Sequence, residues 1–202
     1  MSVVTKINVD VLALLRVAVL AKGGKVEDLE LLRLPVVMEA FAETLLRYVA
    51  MLGNVRPLTI DYSRPFDQMI AAGKYGYVNP DITAEHFPIT SKGVVQTEII
   101  LVPFDRNISS DDVEKELAAM GLEPARLEHA TAFGEKYPDV QREYPIVFLG
   151  SVWSDSNGSP HVPCLDDWRD RRRLDLSYRG GEWIRDYRFA AVRKVLPAMS
   201  AL

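Results

Sequence analysis

Residues 146–193 read IVFLGSVWSDSNGSPHVPCLDDWRDRRRLDLSYRGGEWIRDYRFAAVR, and the fold turns on how this stretch divides. Ile146 to Trp153 is an apolar run of strand length, rich in residues that suit a pleated surface. Asp155, Ser156, Asn157 and Gly158 then supply the small polar residues of a turn, after which His161 to Leu165 resumes an extended pattern. Tyr187 to Val192 is another β-rich run. Between these last two strands the chain carries arginines and aromatics with few periodic apolar positions, which predicts a loop.

Working outward, Val94 to Phe104 alternates, with Val95, Thr97, Ile99 and Leu101 on one side and Gln96 and Glu98 on the other. This is the period of a strand with one buried face. Ser109 precedes a helical stretch with Asp111 and Asp112 in its first turn, where the helix dipole favours negative charge, and with Val113, Leu117 and Met120 as its apolar stripe. Gly121 closes it. A second short helix is expected over Arg126 to Glu135, a strand over Leu58 to Tyr62, and a helix over Phe66 to Ala72 that stops at Gly73. The aromatic, turn-rich stretch from Tyr75 to Pro88 reads as a packed loop. Residues 1–53 read instead as a helical segment. Val11, Leu14, Leu15, Ala18 and Val19 recur at helical spacing up to the break at Gly23 and Gly24, and Val37, Met38, Phe41, Ala42, Leu45 and Val49 form a second stripe. A lone helix cannot bury such a stripe, so it must pack on the rest of the chain or on another copy. The expected organisation is thus a helical segment over 1–53 and an α+β domain over 54–202.

Composition sets the outer limits. At 202 residues, 48% hydrophobic and 26% charged, the chain can build a core and is not a disordered, collagenous or coiled-coil sequence. The stretch from Val11 to Ala21 contains Arg16 and falls far short of the ~20 apolar residues that span a bilayer, so no membrane association is expected. A single cysteine, Cys164, precludes an internal disulfide and points to a cytoplasmic address. No P-loop, G-x-G-x-x-G, G-x-S-x-G or H-E-x-x-H motif occurs, and His86, His129 and His161 lie far apart. Neither a cofactor nor a bound metal is expected, the weak calcium candidates being Asp155, Asn157 and Asp166. The reading is of a protein that is not an enzyme.

One segment departs from the rest. Residues 166–194 carry a local charge of +3, against −7 for the remainder of the chain. Side chains that bury much area with few rotors to freeze, such as Trp, Tyr and Arg, are the usual anchors of binding surfaces. The candidate contact residues are therefore Asp166, Asp167, Trp168, Arg169, Arg171, Arg173, Tyr178, Arg179, Glu182, Trp183 and Arg185. The competing reading is a solvated loop whose arginines pair with Asp166, Asp167, Asp170 and Asp175. The same arginines, with Trp168, Tyr178 and Trp183 as stacking platforms, would suit a nucleic acid, but an isoelectric point near 5.5 opposes phosphate neutralisation. An enzyme working through carboxylates or Cys164 is the remaining alternative.

The order of these parts resembles the C-type-lectin-like fold, nearest to the subset that includes formylglycine-generating sulfatase modifiers and the variable proteins of diversity-generating retroelements. The resemblance rests on IVFLGSVWSDSNG (146–158), on YRFAAVR (187–193), and on GLEPARLE (121–128) as a variant of that subset's G-x-R-x-P-T-x-x-E-W stretch. Glu123 stands where the subset has arginine, and no tryptophan follows Glu128. The chain is also similar to bacterial proteins carrying LGSVW, VP-x-L-D and YRF-x-AVR. The resemblance implies a domain of two short helices and twisted antiparallel strands with a variable, ligand-contacting segment just before the closing strand. The ligand would be a protein, a glycan or another small molecule. The resemblance covers roughly residues 57–195, and homo-oligomerisation through the N-terminal helices, which lie outside it, is expected from their apolar stripe instead. Modifier catalysis uses a pair of cysteines, which this chain lacks.

Overall fold

The computed structural model describes residues 11–193; residues 1–10 and 194–202, at the outer ends of the two expected domains, lie outside the described residues. The chain divides into two compact units, Met1–Ala50 and Met51–Leu202. The first contains α1 (Val11–Ala21), a 3₁₀ helix (Val26–Arg33) and the start of α2 (Pro35–Gly53). Gly23, at φ 80°, ends α1 in the left-handed region that favours glycine, and its N–H bonds to the Leu20 carbonyl. Taken by itself this unit buries no described side chain, and Leu20, Val36, Met38, Phe41 and Leu45 are exposed. Among the described residues no helix is long and apolar enough to cross a membrane.

The second unit is a mixed α+β domain. In chain order it comprises β1 (Val55–Asp61), α3 (Phe66–Ala72), β2 (Tyr77–Val78), β3 (Val94–Pro103), β4 (Ile108–Ser109), α4 (Ser110–Ala119), β5 (Leu122–Pro124) and α5 (Leu127–Lys136). There follow α6 (Val140–Glu143), β6 (Ile146–Val147), β7 (Trp153–Ser154), β8 (Pro160–Trp168), β9 (Arg171–Tyr178), β10 (Glu182–Trp183) and β11 (Arg188–Arg193). The main sheet runs β1-β3-β11-β6-β8-β9-β2, with β5 added to β11 and β7 to β8, while β4 and β10 form a separate pair. Its pairings are antiparallel except β11 with β6 and β2 with β9.

Both faces of the sheet centre are covered, which corrects the expectation of one buried face over 94–104. Ile99 and Leu101 point into a core with Phe133, Phe148, Leu165 and Leu174, whereas Ile100 and Val102 point into another with Val113, Leu117, Val162 and Phe189. Helices lie on both sides here, so the strand reads as a continuous apolar run. At its other end Val94 and Val95 are exposed. The expected strand over 146–153 is also two pieces. Gly150 N–H bonds to the Ala125 carbonyl, and a Cβ at Gly150 would collide with the Pro124 carbonyl oxygen, so the chain leaves the ladder to pass under that backbone.

The local signals act as read. Ser109 caps α4 by accepting the Asp112 N–H at 3.2 Å, Gly121 takes φ 72° after the helix, and Asp155 Oδ1 accepts the Asn157 and Ser159 N–H groups to close the 155–158 turn. At α5 the Arg126 N–H donates to His129 Nδ1 (3.1 Å) and the Leu127 N–H to Ser151 Oγ (3.0 Å), satisfying two orphan amides of that helix start.

Candidate binding surface

The arginine-rich segment is a β-hairpin, which corrects the loop expectation. β8 and β9 pair from His161 with Tyr178 to Trp168 with Arg171, joined by a two-residue turn. Arg169 and Asp170 have φ 53° and 60°, the type I′ pattern whose twist matches paired strands. Glycine and asparagine enter this conformation cheaply; an arginine in it costs roughly 1 to 2 kcal/mol.

Alternation along β9 is present but disguised. Arg172, Leu174 and Leu176 face inward and Arg171, Arg173 and Asp175 outward, and the inward arginine is only 8% exposed. Its guanidinium donates to the Gly73 carbonyl at 2.7 Å, the Gly134 carbonyl at 2.6 Å and Gln141 Oε1 at 2.9 Å, and lies 5.1 Å from the Tyr75 ring centre. Burial lowers its affinity for the proton, and the Tyr75 ring and surrounding carbonyls offset that cost. Gln141 in turn donates to the Asp166 and Arg173 carbonyls, tying α6 to both strands.

The eleven candidate residues separate along this hairpin. At the turn end, Trp168 is 59% exposed, with the guanidinium carbons of Arg169 and Arg173 at 5.8 and 5.7 Å from its ring centre. Arg169 and Arg171 are exposed beside it, and Arg171 Nε donates to the Gly76 carbonyl. Asp166 pairs with Arg173 at 2.5 Å, Asp175 with Arg173 at 3.1 Å, and Asp167 with Arg142 at 2.5 Å. The hydrogen bond to Asp166 holds the Arg173 guanidinium above its ordinary range. The Arg173 pairs are of the kind the solvated-loop reading expected, whereas Asp167 pairs with Arg142 of α6, outside the segment; Asp166 and Asp175 thereby hold the Arg173 guanidinium beside Trp168.

At the opposite end stand Tyr178, 54% exposed, and Arg179, which pairs with Asp111 at 3.0 Å and Glu114 at 2.9 Å. Glu182 and Arg185 are exposed on the following segment. Trp183 is a correction: it is 5% exposed, packs against Phe189 and Tyr187, and donates its indole N–H to Ser110 Oγ at 2.8 Å. It belongs to the core under α4, not to a contact surface. The short strand pair β4–β10 places it there, opposite Ile108.

The other chemistry-bearing residues are accounted for similarly. Cys164 is buried, and desolvation with the nearby Asp166 charge pushes its thiol up to about 12, so it is held protonated. Among the described residues no group of three or more His, Cys, Asp or Glu could hold a metal ion. A cavity of about 370 Å³ lies between β1, α3 and α5, and the Arg64–Glu135 ion pair (2.7 Å) spans its lining. Sequence reasoning did not anticipate a row of rings at the Tyr178 end. His86 stacks on Trp153 at 4.7 Å, Trp153 lies 5.9 Å from His161, and His161 6.0 Å from Tyr178. These residues come from three separate stretches, so no sequence window contains the row. Comparison with models of protein families, with curated proteins and with solved structures returns no match.

Proposed function

We propose that the chain is a non-catalytic ligand-binding module of C-type-lectin-like architecture, contacting its ligand through the turn end of the β8–β9 hairpin. The observation that carries this is Trp168, a large apolar ring left exposed between two guanidinium groups, on a turn that holds arginine where glycine or asparagine would be more stable. Strain retained at an exposed position is a mark of a functional constraint. Trp and Arg together favour a ligand with a flat or apolar face and a negative charge, in an acidic protein segment or an acidic glycan.

Nucleic acid fits less well, because a phosphate backbone needs many cations and Arg173 and Arg142 are already neutralised by Asp166, Asp175 and Asp167, whereas one acidic group needs only Arg169 beside Trp168. The test is an array of acidic and neutral glycans and peptides probed with the wild-type chain and with Trp168→Ala and Arg169→Ala. Selective capture of acidic members that both substitutions abolish supports the reading; capture independent of both ends it. The kinship with retroelement variable proteins is a separate part of the proposal. It is dropped if the native locus lacks a reverse transcriptase gene and a near-copy of the segment encoding residues 165–190.

A further inference from the structure

A second concave site lies at the start of α5, remote in the sheet from Trp168. A cavity of about 220 Å³ is lined by His86, Phe87, Arg126, Glu128, Ser151 and Val152, among others. Glu128 is 7% exposed, yet among the described residues no group donates a hydrogen bond to its carboxylate. Its oxygens are not sealed from solvent, so the charge opens onto the cavity, where an occupant with N–H donors can replace the water that meets it.

The remaining polar groups define that occupant. Arg126 is exposed and, among the described residues, its guanidinium has no ion pair. Ser151 Oγ accepts the Leu127 N–H, which leaves its own O–H hydrogen free to donate. His86 Nδ1 lies 2.8 Å from the Asp81 carbonyl, so Nδ1 carries the proton and Nε2 remains an acceptor. The cavity thus offers acceptors, Glu128 and His86 Nε2, and donors, Arg126 and Ser151, together with the apolar Phe87 and Val152.

We infer that this cavity binds a small zwitterion, an α-amino acid with an apolar side chain. Its ammonium donates to Glu128, its carboxylate accepts from Arg126 and Ser151, and its side chain lies against Val152. The volume is below that of drug-sized sites, which suits a ligand of this size. The site does not depend on the hairpin reading, since it shares no residue with the Trp168 surface.

The test is calorimetric titration of the full chain with leucine, N-acetyl-leucine, which lacks the ammonium, and isoamylamine, which lacks the carboxylate. Leucine is expected to bind with a dissociation constant of about 1 mM or tighter, and either truncated analogue at least about tenfold more weakly. Glu128→Gln is expected to weaken leucine by a similar factor and Arg126→Gln to remove the preference for leucine over isoamylamine. Absence of leucine binding at about ten times that concentration overturns the inference, as does equal binding of leucine and N-acetyl-leucine. The analogue comparison uses the wild-type chain, so it decides the matter even if Glu128→Gln fails to fold.

Discussion

Two tryptophans fifteen positions apart in the arginine-rich segment should respond in opposite ways to truncation. Trp183 is buried with its N–H on Ser110 Oγ, and Ser110 Oγ also donates to the Arg179 carbonyl at 2.7 Å. Trp183→Ala removes an indole from a core that includes Phe189, Val113 and Leu117, and takes away the donor that Ser110 accepts. Substitutions of this kind cost about 3 to 5 kcal/mol, and for a domain of about 150 residues this lowers the melting temperature by roughly 6 to 20 °C. Trp168→Ala acts on a ring already in water and should cost less than ~0.5 kcal/mol, or about 2 °C. Thermal melts of both variants by circular dichroism make the comparison. If Trp183→Ala melts within about 3 °C of wild type, or if Trp168→Ala loses as much as Trp183→Ala, the assignment of one ring to the core and the other to a surface is wrong.

Three further outcomes follow from particular contacts. Replacing Arg169-Asp170 by Asn-Gly should raise stability by about 1 kcal/mol, because both turn positions have positive φ, while weakening ligand capture; unchanged or lower urea midpoints would show the turn to be unstrained. Burial, aided by the Arg126 charge, lowers His129 to about 4, and its Nδ1 accepts the Arg126 N–H only when unprotonated. The unfolded chain therefore takes up the proton first, and stability present above pH ~6.5 is lost as pH falls towards 4, by about 2 to 3 kcal/mol. His129→Gln keeps an acceptor at that position and should flatten this part of the pH dependence, which urea midpoints at pH 7 and 4.5 would reveal. If the exposed stripe of α1 and α2 mediates self-association, sedimentation should give an oligomer for the full chain and a monomer after deletion of residues 1–52; a monomeric full chain excludes it.

The parts of the fold that were legible in the sequence are those decided within a few residues. The Ser109 cap, the Gly121 stop, the 155–158 turn and the α3 boundaries each depend on one side chain and a neighbouring amide or φ angle. The β8–β9 hairpin was not legible, because an arginine occupies an inward position of β9 and hides the alternation. Arg172 tolerates burial only through the Gly73 and Gly134 carbonyls and Gln141, all distant in sequence. Trp183 was misplaced for the same reason, since its partner Ser110 lies on another element. The candidate contact residues lie in one stretch of the sequence, but the hairpin separates its two ends, and the turn end keeps the large exposed ring of Trp168 beside the Arg169 guanidinium. The row from His86 to Tyr178 and the wall containing Glu128 exist only once distant strands and loops are packed together.

The most direct test of the Trp168 surface uses the three indole N–H signals of Trp153, Trp168 and Trp183 in a two-dimensional ¹⁵N–¹H spectrum, assigned by substitution and followed during titration with the acidic ligand that an array ranks first. The expected result is that the Trp168 signal moves saturably, while Trp183, bonded to Ser110 in the core, and Trp153, beside His86, stay in place. Movement of Trp153 with Trp168 unchanged would contradict the account and place recognition at the other end of the hairpin.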